Sequence, residues 1–335
     1  MIGKRDALLA AAGLGLFAFA AHRIGWNAVV RAIEQGGAAI AIIIGLSLVR
    51  LFLQTRSWSI ALRVDGIESS ASELMLIRLA SQGMGYLSVL GPVASEPMKI
   101  SLLQRSGGSA TTATLIDTGV YWFASGIVGV AGCLSAVLLL AHGRHSVAPL
   151  AIAGSIMAAT LFLLARPKSR LSPLVHFLGD RCPRWIQKGK EIECAVRMFA
   201  KEYPSSIRQM FLLDSACQLL LIAEVAALFW CLKIPLHGVT VLGIEGVSRA
   251  IKIAAGWMPA RIGADESGVA GAFFAFGLSP ASGLTLALAR RSRDLLAALV
   301  GLTWLAWRTK FWNASPARVP QGAYCPGEEA TCKQW

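Results

Sequence analysis

The sequence predicts an all-α polytopic membrane protein: an inverted repeat of transmembrane helices with two re-entrant (broken) helical hairpins. Three observations predict it. Hydrophobic residues make up 55% of the 335-residue chain and charged residues 15%, at mean hydropathy +0.58. That is the composition of a chain crossing a bilayer many times, not of a soluble enzyme. Two apolar stretches are interrupted by prolines and charges: Gly91, Pro92, Glu96, Pro97 and Lys99 in one, Pro259, Arg261, Gly263, Asp265 and Glu266 in the other. The interruptions also repeat, since Glu96 and Glu266 are 170 residues apart, as are Ser109 and Ser279, while Trp58 and Trp230 are 172 apart. Irregular backbone at membrane depth survives only where protein buries it or it lines a wet cavity, so a matched pair of interrupted segments points to a transport site.

Lys4 and Arg5 precede an apolar run over 7–21. It is expected as an uncleaved first helix with a cytoplasmic N-terminus, although Ala18, Phe19 and Ala20 resemble a signal-cleavage site. In the second span, 38–62, Ser47, Arg50, Gln54 and Ser57 form one polar stripe at helical spacing. Arg56 then marks the cytoplasmic end and Arg50 faces the protein interior. Ser70 and Glu73 make a capping box, opening a helix from 71 toward a break at Pro92 to Pro97. The chain resumes as helix to Gln104, Ser109 caps a long helix through Leu140, and 147–165 forms another span.

Between 166 and 210 stand ten Lys/Arg against four acids, with Trp185, Ile192, Val196, Phe199 and Tyr203 at helical spacing. This reads as a cytoplasmic loop with a helix lying in the interface. Ser206 and Gln209 cap a span over 210–232, and 239–277 holds the second broken element. Ser279 and Pro280 open a last helix to Arg308. Four units result: a membrane half over 1–165, a basic loop over 166–209, a second half over 210–308 and a tail over 309–335. That tail carries Pro316, Pro320 and Pro326 and is expected to be disordered.

The loop charges set the topology. With the N-terminus and the basic loop both inside, 71–104 must enter and leave on the cytoplasmic side, and 239–278 on the outer side. The halves then have opposite orientation. The net charge of +13 lies in loops beside apolar spans, which fits anionic lipid surfaces rather than nucleic acid. Seven cysteines include no CxxC and no paired histidine ligands, so neither a disulfide framework nor a metal or cofactor is expected.

Arg290, Arg291, Arg293 and Asp294 lie between apolar runs 281–289 and 295–307. Each run is too short to span alone, which puts the charges near mid-membrane. A charge there costs about 2.5–3.5 kcal/mol, so it must be paired or wetted. Asp294 can pair with Arg290 or Arg291; Asp117 stands near the start of the corresponding helix, and Asp214, Gln218 and Glu224 share one face of the 210–232 helix. Either these acids neutralise the arginines in a static network, or the charges bind and move a substrate. In the second case Arg50, Arg290 and Arg293 hold a phosphate. Helix ends at Pro92 and Pro259 add backbone donors, while Glu96, Glu266 and Asp117 meet an amine or a coupling proton. Gln54, Lys99, Asp214, Glu224, Arg261, Gly263 and Asp265 complete the candidate set.

Arg56-Ser57-Trp58, the Gly91-Pro92, Glu96-Pro97, Lys99 element, the run from Pro259 to Glu266, and Ser279-Pro280 followed by Arg290, Arg291, Arg293 and Asp294 resemble the transmembrane region of lysylphosphatidylglycerol synthases, a flippase-like family. The resemblance covers about 38–307, and departs from the family at Ser95 and Lys99, where glycine and arginine are usual. It implies movement of lipid head groups between leaflets of a bacterial inner membrane, both termini cytoplasmic. The implied partners are anionic or aminoacylated phospholipid, or polyprenyl-linked lipid, with a lipid-biosynthetic enzyme as a possible partner. No aminoacyl-transferase domain fits in the 28 residues after Trp307, so the expectation is a protein that is not an enzyme. Histidines 22, 142, 145, 176 and 237 form no HExxH or similar set, although Glu96 and Glu266 remain available as an acid/base pair. The alternatives kept are a small anionic solute or ion transporter and an accessory scaffold in envelope lipid or glycan assembly.

Overall fold

The computed structural model describes residues 34, 37–64, 66–87, 92–103, 107–141, 152, 154–159, 198–199, 201–255 and 263–312. The expected first helix, most of the 147–165 span, the basic loop up to 197 and the tail beyond 312 lie outside them, as do Pro259 and Arg261, while 309–312 continue the last helix instead of starting the tail. Regular structure among the described residues is helical: α1 Gly37–Val64, α2 Ala71–Leu87, α3 Pro92–Leu103, α4 Gly107–Leu140, α5 Pro204–Cys231, α6 Gly238–Ala254, α7 Ala264–Ala275 and α8 Pro280–Trp312.

The lengths repeat. Helices of 28, 17, 12 and 34 residues are followed by helices of 28, 17, 12 and 33. Packing repeats with them: α4 lies along α6, α8 lies along α2, and α1 lies along its counterpart α5. Two hydrogen bonds give the direction of that last pair. Ser57 Oγ donates to Asp214 at 3.2 Å and Ser47 Oγ to Glu224 at 3.3 Å. Residue number falls along α1 as it rises along α5, so the two helices are antiparallel.

Glycine sets the closest approaches. A Cβ on Gly132 of α4 would lie 2.6 Å from the Leu242 carbonyl of α6, and one on Gly246 would strike the Gly132 backbone. At the other contact, a Cβ on Gly301 of α8 would strike the Leu79 and Ala80 backbone of α2, and one on Gly83 would sit 3.0 Å from Ala298 Cα. Small residues that let backbones touch are what helix association inside lipid uses, where apolar side chains alone gain little.

Two apolar cores flank the ends of α1. Trp58 and Leu62 pack with Leu74 and Ile77 of α2, Ile116 of α4 and Met210 of α5, whereas Ala39 and Ile43 pack with Val225, Phe229, Ile244, Phe273 and Leu286. Outward faces are apolar too, with Trp230 75% and Leu219 65% exposed. Among the described residues three helices, Gly37–Val64, Ala110–Leu140 and Pro204–Cys231, are long and apolar enough to cross a membrane.

Several expected boundaries move. The first break falls between α2 and α3 rather than over Pro92 to Pro97, because α3 starts at Pro92 and runs through Pro97. Pro97 is exposed and one turn in, where its missing N–H costs a single intrahelical bond. α4 begins at Gly107, so Ser109 is inside the helix and not its cap. α5 begins at Pro204 rather than at the Ser206 cap, with proline in the first helical turn, where it loses nothing. The Ser70 cap holds, its hydroxyl accepting from the Glu73 N–H at 3.2 Å.

Candidate functional site

Buried charge gathers in two clusters, one per set of four helices. In the second set, Arg290 of α8 donates from Nε to Glu224 of α5 at 3.2 Å and from Nη2 to Glu245 of α6 at 2.8 Å. Arg293 donates to Glu224 at 2.7 Å and to its neighbour Asp294 at 2.9 Å. Glu245 also pairs with Arg249 at 3.1 Å, and Arg249 reaches Gln218 at 2.8 Å. Arg291 pairs with Glu266 of α7. Gly263, in the left-handed region at φ 80°, turns the chain into α7 so that its N–H meets the second Glu266 oxygen at 2.7 Å. With Lys252 and Asp265, the cluster holds five cations and five acids among the described residues.

Beside it lies a cavity of about 30 Å³, lined by Tyr86, Ser248, Lys252, Asp265, Glu266, Arg290, Arg291, Arg293 and Asp294. That is room for a water or two, not for a head group. Arg290 Nη1 is buried there with no hydrogen-bond partner among the described residues. A larger, open groove of about 600 Å³ lies at the α1–α2 turn around Arg63 and Glu68, away from both clusters.

In the first set Arg78 of α2 pairs with Asp117 of α4. Lys99 donates to Glu96 at 2.9 Å, and Thr118 donates to the other Glu96 oxygen at 2.9 Å. Arg78 and Lys99 both stand over the Trp58 ring, 5.7 and 6.0 Å from its centre, while the indole N–H donates to Thr114 at 3.3 Å.

The clusters correspond position by position. Arg78 and Glu245 are each the eighth residue of their helix (71 to 78, 238 to 245), and Asp117 and Arg290 each the eleventh (107 to 117, 280 to 290). An arginine–aspartate pair in one set answers a glutamate–arginine pair in the other, with the signs exchanged. Ser47 and Asp214 are likewise each eleventh in α1 and α5 (37 to 47, 204 to 214), and Ser57 and Glu224 each twenty-first (37 to 57, 204 to 224).

The candidate residues divide accordingly. Asp265, Glu266, Arg290 and Arg293 line the cavity, and Glu224 is bonded to both of those arginines without lining it; Glu96, Lys99, Asp117 and Asp214 belong to the other cluster. Glu96 and Glu266 therefore do not share one chamber. Asp294 pairs with Arg293, not with Arg290 or Arg291, because the latter two are taken by acids from α5, α6 and α7. Arg50 is half-buried and does not line the cavity, although its charge acts on Asp294. Gln54 is buried on α1, and Pro92 opens α3. Arg78, Glu245, Arg249, Lys252 and Arg291 were absent from the candidate set. The signal for the second group was Glu245 four residues before Arg249 inside an apolar stretch; a lone Arg78 gave less. Among the described residues no group of three or more His, Cys, Asp or Glu could hold a metal ion.

The family model for the lysylphosphatidylglycerol synthase transmembrane region matches residues 7–301. The chain belongs to that family. No curated protein and no solved structure matches it. Membership in the lysylphosphatidylglycerol synthase transmembrane-region family confirms the resemblance read from the motifs and makes this a membrane protein. It also corrects one expectation: the family is named for lysylphosphatidylglycerol synthesis, so the exclusion of an enzyme does not stand.

Proposed function

We propose that the protein is a lipid translocator, in which the second cluster receives the phosphate of a lipid head group passing between leaflets. The observation that carries this is Arg290 Nη1, a buried guanidinium nitrogen without a partner beside a cavity lined by three further cations. Phosphate oxygens suit such donors because charge-assisted, forked hydrogen bonds satisfy both partners. The cavity is too small for a head group as it stands, so this conformation is occluded and opening accompanies binding.

The inverted repeat belongs to the same reading. Antiparallel α1 and α5 support opposite orientation of the two sets. Helices of 17 and 12 residues, about 26 and 18 Å long, fall short of the roughly 30 Å hydrocarbon core, which supports α2–α3 and α6–α7 as re-entrant hairpins. The same proposal takes in a bacterial inner membrane with both termini cytoplasmic, anionic, aminoacylated or polyprenyl-linked lipids as substrates, and a lipid-biosynthetic enzyme as neighbour.

Proteoliposomes loaded with a fluorescent anionic phospholipid in one leaflet test the proposal. Wild type should speed leaflet exchange over empty vesicles, and Lys252→Gln, which removes a cation from the cavity wall, should slow it about tenfold. Exchange at the empty-vesicle rate with wild type, or equal exchange with the variant, overturns it. Strong inhibition by inorganic phosphate would instead favour a soluble anion as the cargo.

A further inference from the structure

The first cluster has one acid too many. Among the described residues its cations are Arg78 and Lys99; its acids are Glu96, Asp117 and Asp214. Arg78 serves Asp117 and Lys99 serves Glu96, while Asp214, 1% exposed, has among the described residues only the Ser57 hydroxyl as a hydrogen-bond partner, at 3.2 Å. Its counterpart acid at the other end of the α1–α5 contact, Glu224, has two arginines. Asp117 Oδ1 is also buried without a partner. An ionised carboxylate so enclosed, beside a second one, is costly in a low-dielectric interior; adding one proton removes the surplus charge.

We propose that the Asp117–Asp214 pair binds one exchangeable proton, carried on Asp214, and that lipid movement through the second cluster is coupled to it. Both carboxylates ionised leave the cluster at −1; one proton taken from water brings it to neutrality, and its release restores −1. Every packed element contributes to the setting. Arg78 of α2 and Asp117 of α4 act on Asp214 by their charges, and α1 offers the uncharged Ser57. Arg50 of α1 acts on Cys217 one turn further along α5, and Arg249 of α6 reaches α5 at Gln218. The pair is sealed from water here. Glu96, whose side chain is 22% exposed, is bonded to Thr118 next to Asp117 and to Lys99, whose charge in turn feels Asp117. That chain is the route by which a proton reaches the pair. The coupling runs along α5, which carries both Asp214 and, further along the same helix, the arginine-bound Glu224.

The coupling rests on the lipid-translocation reading; the proton site does not. Two measurements on the full-length protein separate them. Infrared difference spectra between acid and alkaline buffer should show a protonated-carboxyl band in wild type that is lost in Asp214→Asn and restored, shifted, in Asp214→Glu. A band unchanged in Asp214→Asn overturns the site. In proteoliposomes with fluorescent anionic lipid, coupling of one proton per lipid predicts that the steady-state leaflet ratio shifts about tenfold for each pH unit imposed across the membrane. A wild type that exchanges lipid but settles at the same ratio with and without the gradient overturns the coupling and leaves translocation standing. A wild type that exchanges no lipid sinks translocation and coupling together, while the infrared band still decides the proton site.

Discussion

The two sets of four helices share lengths, packing partners and the positions of their buried pairs, yet they solve the burial of charge differently. In the second set the two central arginines are each held by two acids: Arg290 by Glu224 and Glu245, Arg293 by Glu224 and Asp294. In the first set the charges stand in separate pairs, Arg78 with Asp117 and Lys99 with Glu96, and the aromatic face of Trp58 replaces further acids. One scaffold thus carries acids shared between arginines at one end and singly bonded pairs at the other. Sharing spreads the loss of a member over the partners that remain, whereas a singly bonded acid loses its direct counter-charge with its partner.

The sharpest way to break that contrast is to reverse pairs. Arg78→Ala strands Asp117 without its ion-pair partner and should cost about 3–5 kcal/mol, read as a fall in thermal stability in detergent. Arg290→Ala should cost somewhat less, because Glu224 keeps Arg293 and Glu245 keeps Arg249. The double reversal Arg78→Asp with Asp117→Arg should recover most of its own loss, while Glu245→Arg with Arg290→Glu should not, because Glu224 would then face a glutamate. Equal recovery in both would show that the network is only a sum of pairs.

Smaller effects test the repeated packing. Gly246→Ala and Gly301→Ala each drive a methyl into the facing backbone and should cost about 1–3 kcal/mol. Gly119→Ala on α4 meets nothing within 4 Å and should stabilise by up to about 1 kcal/mol through helix propensity. Thermal melts of the three variants side by side check this, and similar losses at all three would mean that close approach is not what the glycines provide. The smallest change separates the serine bonds. Ser47→Ala, facing an acid already held by two arginines, should cost less than Ser57→Ala, which takes away the partner of Asp214; both lie near 1 kcal/mol.

Much of the fold was legible because it is written in local chemistry. Ser279 and Pro280 announced α8, and the polar stripe from Ser47 to Ser57 identified the buried face of α1. The second break was read from Pro259, Gly263 and their charged neighbours. The charged cavity was legible in part, since Glu224, Arg290 and Arg293 stood out in apolar surroundings. Arg78 was not, because its partner lies 39 residues away in a different helix and no periodicity links them. Nor was the deepest correspondence. A repeat sought by matching residues aligns Glu96 with Glu266, but Arg78 answers Glu245 and Asp117 answers Arg290, so the pairing persists while the residue identities reverse sign.

The glycine contacts also bear on how the chain is made. α2 leaves the ribosome early, yet the surface that fits its Leu79 to Gly83 face belongs to Gly301 and Ala298 of α8, which are translated more than 200 residues later. Until then the short helix waits beside α1 and α3 with one side unclaimed. A nascent chain stalled or truncated before Gly301 is thus an unfinished object, and one that membrane quality-control proteases would meet first at α2.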